Sequence, residues 1–148
     1  ALVNMYYKSV GRNSTLILGM TPDDRGLVPE ADFMRMREFG DEVRRRFGEE
    51  IASTSGHGKE VVLELDERTM IDHVVIQEDI ERGERIRKYV IDVKQGGAYT
   101  TRVCEGTCVG HKRIEKFGPI EADAVKLTVL DSAAEPLVKR LAVYNCVA

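Results

Sequence analysis

The sequence has no tryptophan and only three histidines, four prolines and three cysteines in 148 residues. Without an indole, a flat ligand would have to stack on one of the five tyrosines or four phenylalanines. Cys104, Cys108 and Cys146 are odd in number and too few for a disulfide framework. Cys104 and Cys108 are spaced to close a small loop, but a chain of this length buries a core without that help. Small buried or half-buried thiols are the expectation. A lone Cys-x3-Cys lacks the partners of a four-ligand zinc site, so no metal site is expected. No run approaches the roughly 20 apolar residues of a membrane span. Lys plus Arg number 22 against 25 Asp plus Glu, a net charge of −3. With no basic excess, nucleic acid is excluded as a partner. No leader pattern is present, and the chain opens at Ala1 without a Met. It reads as processed or cut from something longer.

What is present is ordinary globular composition, 43% hydrophobic and 32% charged. The length suits one domain, or a small domain plus a fragment of another, and the patterning favours the second. Val74 and Ile76, then Tyr89, Ile91 and Val93, repeat every second residue, the period of a strand with one buried face. Between them Gln77 to Arg85 is polar, broken by Gly83, and too long for a tight hairpin. It is expected as a solvent-facing loop at a sheet end.

Before residue 50 the pattern is different. Leu2, Val3, Tyr6 and Val10 fall near one helical face, and Gly11 stops the helix. Ser14 to Met20 contains Leu16-Ile17-Leu18, a continuous apolar run that suits a strand covered on both faces. Thr21 to Gly26 is a turn-forming cluster, in which Asp23 and Asp24 serve the turn. A helix is expected from Pro29 to Phe47, with Phe33, Met36, Val43 and Phe47 on one stripe. Glu30 and Asp32 suit its positive end and Arg44, Arg45 and Arg46 its negative end. Helix, strand, helix leaves one strand without neighbours of its own, so its partners are expected outside the chain.

Residues 53–58 (Ser-Thr-Ser-Gly-His-Gly) are expected as a linker. After it, Val61, Leu63 and Leu65 alternate, as do Tyr99, Thr101 and Val103, then Val125, Leu127 and Val129, then Leu141 and Val143. Gly96-Gly97 signals a hairpin. Short strands over about 90 residues without a helical stripe indicate an antiparallel sandwich. Tyr99 and Phe117 are expected in its core. His57 and His73 have no Cys or carboxylate at ligand spacing and are expected solvated or locally hydrogen-bonded. Asn13-Ser-Thr15 matches a glycosylation acceptor but precedes the presumed buried strand, which argues against its use.

These pieces together resemble the C-terminal part of family 29 glycoside hydrolases, the α-L-fucosidases. The resemblance is carried by Tyr6 to Leu18, Pro22 to Gly26, Leu27-Val-Pro, Arg37-Glu-Phe-Gly40, Gln77-Glu-Asp-Ile80 with Gly83-Glu-Arg85, Gly110-His-Lys-Arg-Ile114 and Ala142-Val-Tyr144. It implies residues 1–52 as the end of a catalytic (β/α)8-like barrel, 53–58 as linker and 59–148 as a galactose-binding-domain-like jelly-roll β-sandwich. One departure is Gly19-Met20, where such relatives end the strand in an Asn. The family's retaining mechanism needs two carboxyl groups, on barrel segments that precede this chain. No residue here matches them, so no catalytic residue is assigned and the fragment alone is expected to be inactive. No cofactor is implied, and the family suggests a secreted, periplasmic or lysosomal setting.

The charged residues Glu78, Asp79, Arg82, Glu84 and Arg85, with His111, Lys112 and Arg113, have two readings. Glu78, Arg85, His111, Lys112 and Arg113 form a candidate saccharide site, since sugar hydroxyls pair with both carboxylates and cations. Alternatively Glu78 pairs with Arg85 or Arg113 in a network that fixes the loop. The expected partners are a fucosylated glycan or other saccharide and the missing barrel of the same protein. The sandwich supports that barrel, recognises galactose-like or fucosylated glycans as a binding module, or is a purely structural subunit contact.

Overall fold

A computed structural model describes residues 1–19 and 21–146. Two helices, α1 (Leu2–Lys8) and α2 (Glu30–Phe47), precede six strands: β1 (Ala52–His57), β2 (Glu60–Glu78), β3 (Ile86–Gln95), β4 (Ala98–Gly106), β5 (Arg113–Ser132) and β6 (Leu137–Tyr144). Every pairing is antiparallel, in the order β1-β6-β2-β5-β3-β4.

Strands β2 and β5, of 19 and 20 residues, are too long for one layer. Their register breaks between Glu64 and Thr69, where both cross from one layer to the other. The first half of β2 and second half of β5 join β3 and β4, while their other halves join β6 and β1. The sheet thus folds over on itself, and the alternating residues meet inside. Val61, Leu63, Val74, Ile76, Tyr89, Ile91, Val93, Val125, Leu127, Val129, Leu141 and Val143 form one buried cluster. Gly96 and Gly97 both have positive φ, 64° and 93°, and close the β3–β4 hairpin between paired Gln95 and Ala98. Phe117 packs on the core, whereas Tyr99 is half-buried beneath Lys126 Nζ, 4.4 Å from its ring centre.

The strand covered on both faces is β2. Ile71 through Ile76 are all buried. Val74 and Ile76 face the inner core, while Val75 joins Ile114, Ala142, Tyr144 and Cys146 in a second cluster. Tyr6 and Tyr7 of α1 and Phe47 of α2 cover that second cluster. Leu16-Ile17-Leu18, expected in that role, forms no strand among the described residues, and Ile17 is 85% exposed. The run has a strand's composition and no neighbour to pair with. Met20, the end of that expected strand and part of the Gly19-Met20 departure, lies outside the described residues.

The expected linker is also corrected. Ala52–His57 is edge strand β1, paired along β6 from Ala52 with Val143 to His57 with Leu137. Its small polar residues alternate between half-buried and exposed, as an edge strand with one solvent face allows. Gly58, at φ 89°, makes the turn into β2.

Candidate functional site

The loop between β2 and β3 is built around Glu78, which is 2% exposed. A carboxylate taken out of water must find donors. Glu78 Oε1 accepts the backbone N–H of Arg85 at 2.8 Å and of Ile86 at 2.9 Å, and Oε2 accepts that of Gly110 at 2.7 Å. One side chain therefore ties the start of β3 and the loop before β5 to the end of β2. Asp79 accepts from the Glu81 N–H and opens a single 3-10 turn, Ile80–Arg82, which Gly83 ends at φ 88°.

The other expected saccharide residues do not converge on Glu78. Arg85 sends Nη1 to the carbonyl of Glu135 at 2.9 Å, and Arg113 sends Nε to Glu115 at 2.8 Å. Neither guanidinium pairs with Glu78, so the ion-pair alternative is replaced by backbone donors. Glu115 also takes the Tyr89 hydroxyl at 2.6 Å, and burial, reinforced by that bond, holds the phenol far above its usual range. His111 is exposed, and its backbone N–H donates to Asn13 Oδ1 at 2.6 Å. Lys112 is half-buried, and burial followed by nearby Arg140 lowers its ammonium from the usual value. A cleft of about 700 Å³ lies between the end of β1, the Asp79–Glu81 turn and the start of β6. Of the five expected residues, Glu78 and His111 line it, with His57, Ile80, Glu81 and Lys139 beside them.

A second constellation joins the helices to the sandwich. His73, fully buried, has Nδ1 2.7 Å from Asp72 Oδ1 and Nε2 2.6 Å from the Tyr7 hydroxyl. Tyr7 stacks on the imidazole at 5.5 Å between ring centres, and Phe47 meets its edge at 5.7 Å. Arg46 Nη1 donates to the Tyr7 oxygen at 3.1 Å, and the Cys146 N–H donates to Asp72 Oδ1 at 2.8 Å. Asp72, His73 and Cys146 are the one mixed group among the described residues whose types and proximity suit a metal ion. Both ring nitrogens of His73 are engaged, and the Cys146 thiol donates to the Arg46 carbonyl at 3.2 Å. Burial, then Asp72, pushes that thiol up to about 12, so it stays protonated. The group is a hydrogen-bonded joint as it stands.

The expected local hydrogen bond of His73 is the one to Asp72, but the ring is buried rather than solvated and also bonds Tyr7, 66 residues away, while Cys146 closes the group from the C-terminal end. The sequence carried one signal of it: an Asp-His pair inside the apolar run Ile71 to Ile76 must find polar partners. His57 fits the expectation, exposed and paired with Glu135 at 3.0 Å. Asp23 makes the expected turn, accepting from Arg25 and Leu27 N–H groups. The Arg25 guanidinium, first among the causes, lowers its carboxyl.

No family model matches the chain. Its relatives nevertheless agree. It is 28% identical over 97% of its length to α-L-fucosidase 1 of Arabidopsis thaliana, of which it spans 35%. Among solved structures, a candidate α-L-fucosidase of Bacteroides thetaiotaomicron is 49% identical with a TM-score of 0.94, over 97% of this chain and 33% of that one. A family 29 fucosidase of Ruminococcus gnavus, solved with fucose, is 26% identical with a TM-score of 0.84, over 97% of this chain and 36% of that one. This chain corresponds to the C-terminal part of family 29 glycoside hydrolases. It spans about a third of the curated relatives it matches. In family 29 terms, the β-sandwich described above is the C-terminal sandwich, and the remaining two-thirds of the relatives has no counterpart here.

Proposed function

We propose that this chain is the C-terminal accessory segment of an α-L-fucosidase, a retaining hydrolase that releases L-fucose from glycans. The observation that carries the reading is 49% identity and a TM-score of 0.94 to a candidate fucosidase three times its length. The helical layer supports it. Phe33, Met34, Leu27, Val28 and Ile17 are exposed on α2 and the segments before it, an apolar surface that a monomer of this size does not leave open without a partner. The occupant we propose is the missing barrel of the same protein, which supplies both catalytic carboxyl groups. Residues 1–51 then belong to the barrel side and residues 52–146 to the sandwich. The sandwich holds the barrel's last elements in place, and the chain alone is inactive.

The test is release of 4-nitrophenol from its α-L-fucoside by the longer protein and by this chain. Turnover by the longer protein, abolished when residues 1–148 are deleted, is expected. A longer protein inert on fucosides overturns the reading.

A second reading is favoured by the cleft beside β1, in which His111, Glu81, His57 and Lys139 offer paired donors and acceptors over exposed Ile80. On this reading the sandwich itself touches a saccharide there. Glu78 serves as scaffold, and Arg85, Lys112 and Arg113 support the loops. Saturable amide shifts at Ile80, Glu81 and His111 on titration with fucose or a fucosylated oligosaccharide are its signature. Their absence at millimolar ligand removes it.

A further inference from the structure

Hydrogen-bond direction around His73 is fixed by its neighbours. Asp72, as a carboxylate, only accepts, so His73 carries its proton on Nδ1 and donates it at 2.7 Å. Nε2 is then the acceptor, and the Tyr7 hydroxyl donates to it at 2.6 Å. The Tyr7 oxygen in turn accepts from Arg46 Nη1 at 3.1 Å. The relay Arg46 → Tyr7 → His73 → Asp72 thus runs from α2 through α1 into β2, and every link has one proton.

A second proton on His73 has nowhere to go without breaking that order. Nε2–H would face the Tyr7 O–H, and the hydroxyl would have to turn away inside a site where His73 has no solvent exposure. The new charge would also face other cations. Arg46 of α2 lies 5.9 Å and Lys116 of β5 lies 5.7 Å from the Tyr7 ring centre, and both disfavour a charge on His73, while Phe47 of α2 meets the imidazole at 5.7 Å between ring centres. Among the described residues Asp72 is the one carboxylate bonded to the ring, and Glu42 is already engaged by Arg45 and Arg46.

We propose that His73 is an acid-sensitive latch: protonation at Nε2 releases the helical layer from the sandwich while the sandwich itself stays folded. The separation is built into the packing. His73 touches the outer cluster with Tyr6, Tyr7 and Phe47, whereas the inner core of β2, β3, β5 and β6 closes without any helical residue. Neither helix contains a fully buried residue, and the layer's other polar ties to the sandwich include those from Arg45 to the Cys146 carbonyl, from the Ile114 N–H to the Gly11 carbonyl and from Asn13 to the His111 N–H and Glu84. Burial, opposed by Asp72 and reinforced by Lys116 and Arg46, places the His73 pKa below its usual 6.5. The released form therefore binds the proton more readily. The latch is at full strength above about 6.5 and weakens as pH falls below it. This inference does not depend on the fucosidase reading.

The test is hydrogen–deuterium exchange of the full chain at about pH 7.5 and about pH 5, corrected for intrinsic rates. Protection of α1, α2 and the Cys146 amide is expected to fall several-fold at the lower pH, with β3 and β5 unchanged. In His73→Gln the helices are less protected at both pH values and the difference between them disappears. An equal pH effect in His73→Gln, no effect in the wild type, or loss of β3 and β5 protection together with the helices overturns the proposal. Should the variant not fold, the imidazole resonances of wild-type His73 decide. A midpoint below 6.5 that coincides with the loss of helical protection supports the latch, and one at or above 6.5 contradicts it.

Discussion

Glu78 and Gly110 bond to each other twice: the Glu78 N–H donates to the Gly110 carbonyl at 2.9 Å, and the Gly110 N–H donates to Glu78 Oε2 at 2.7 Å. A buried carboxylate that also takes the N–H groups of Arg85 and Ile86 is a clamp on two loops. Glu78→Ala orphans three backbone donors, each at about 1–3 kcal/mol when buried. A loss of about 3 kcal/mol or more is expected, a Tm fall of roughly 6–12 °C for a domain of this size. Glu78→Gln, which turns an amide toward the same donors, should lose part of that. Thermal unfolding by circular dichroism measures both.

Asn13 fixes the same loop from the helical side. Its backbone is left-handed, at φ 66°, and its side chain accepts from His111 N–H at 2.6 Å and donates to Glu84 at 2.8 Å. A Cβ on Gly110, itself at φ 65°, would fall 2.2 Å from Asn13 Nδ2. Gly110→Ala is therefore expected to destabilise by about 1–3 kcal/mol and to shift the Glu84 and His111 resonances in a 15N spectrum. The same contacts leave the Asn13 amide engaged, so the folded chain should resist modification at Asn13-Ser-Thr15.

The three thiols should differ in reactivity. Cys108 is exposed, Cys104 is half-buried with burial and then Glu115 pushing its thiol well above the usual range, and Cys146 is pushed up to about 12. One equivalent of thiol is expected to react rapidly with a disulfide reagent at mildly alkaline pH, and peptide mapping should place it at Cys108.

On α2, Arg45 and then Arg46 hold the Glu42 carboxyl at about 2. Its folded-state value lies below the unfolded one, so its contribution is present above about 4.3 and is lost as pH falls toward 2. A side-chain carboxyl titration by NMR should show Glu42 protonating only as the pH approaches about 2. Glu42→Gln should remove the transition and loosen Arg46 from Tyr7.

How legible the fold was depended on how far apart the paired residues lie. Alternation at Val61-Leu63, Tyr89-Ile91-Val93 and Val125-Leu127-Val129 is a local pattern, and so are the Gly96-Gly97 hairpin and helix α2, with acids in its first turn and arginines in its last. Each could be read from a window of a few residues. Strand β1 could not, because small polar residues suit an edge strand and a linker equally. Leu16-Ile17-Leu18 has the composition of a buried strand and no partner here. The His73 joint depends on Tyr7, 66 positions from His73, and on Cys146, 74 from Asp72, so only the polar pair inside an apolar run hinted at it. The charge of Glu78 promised another side chain or a ligand where the fold supplied backbone N–H groups.

The run Ser14–Gly19, in which Ile17 is 85% exposed and Leu16 and Leu18 are half-buried, tests most directly whether this helical layer seats the rest of a family 29 enzyme. Its amide exchange should be compared in this chain and in the longer protein. Rapid exchange here and strong protection there, as a strand that has found its neighbours, is the predicted result. Equal, rapid exchange in both would mean that nothing pairs with the run, and would contradict the barrel as its partner.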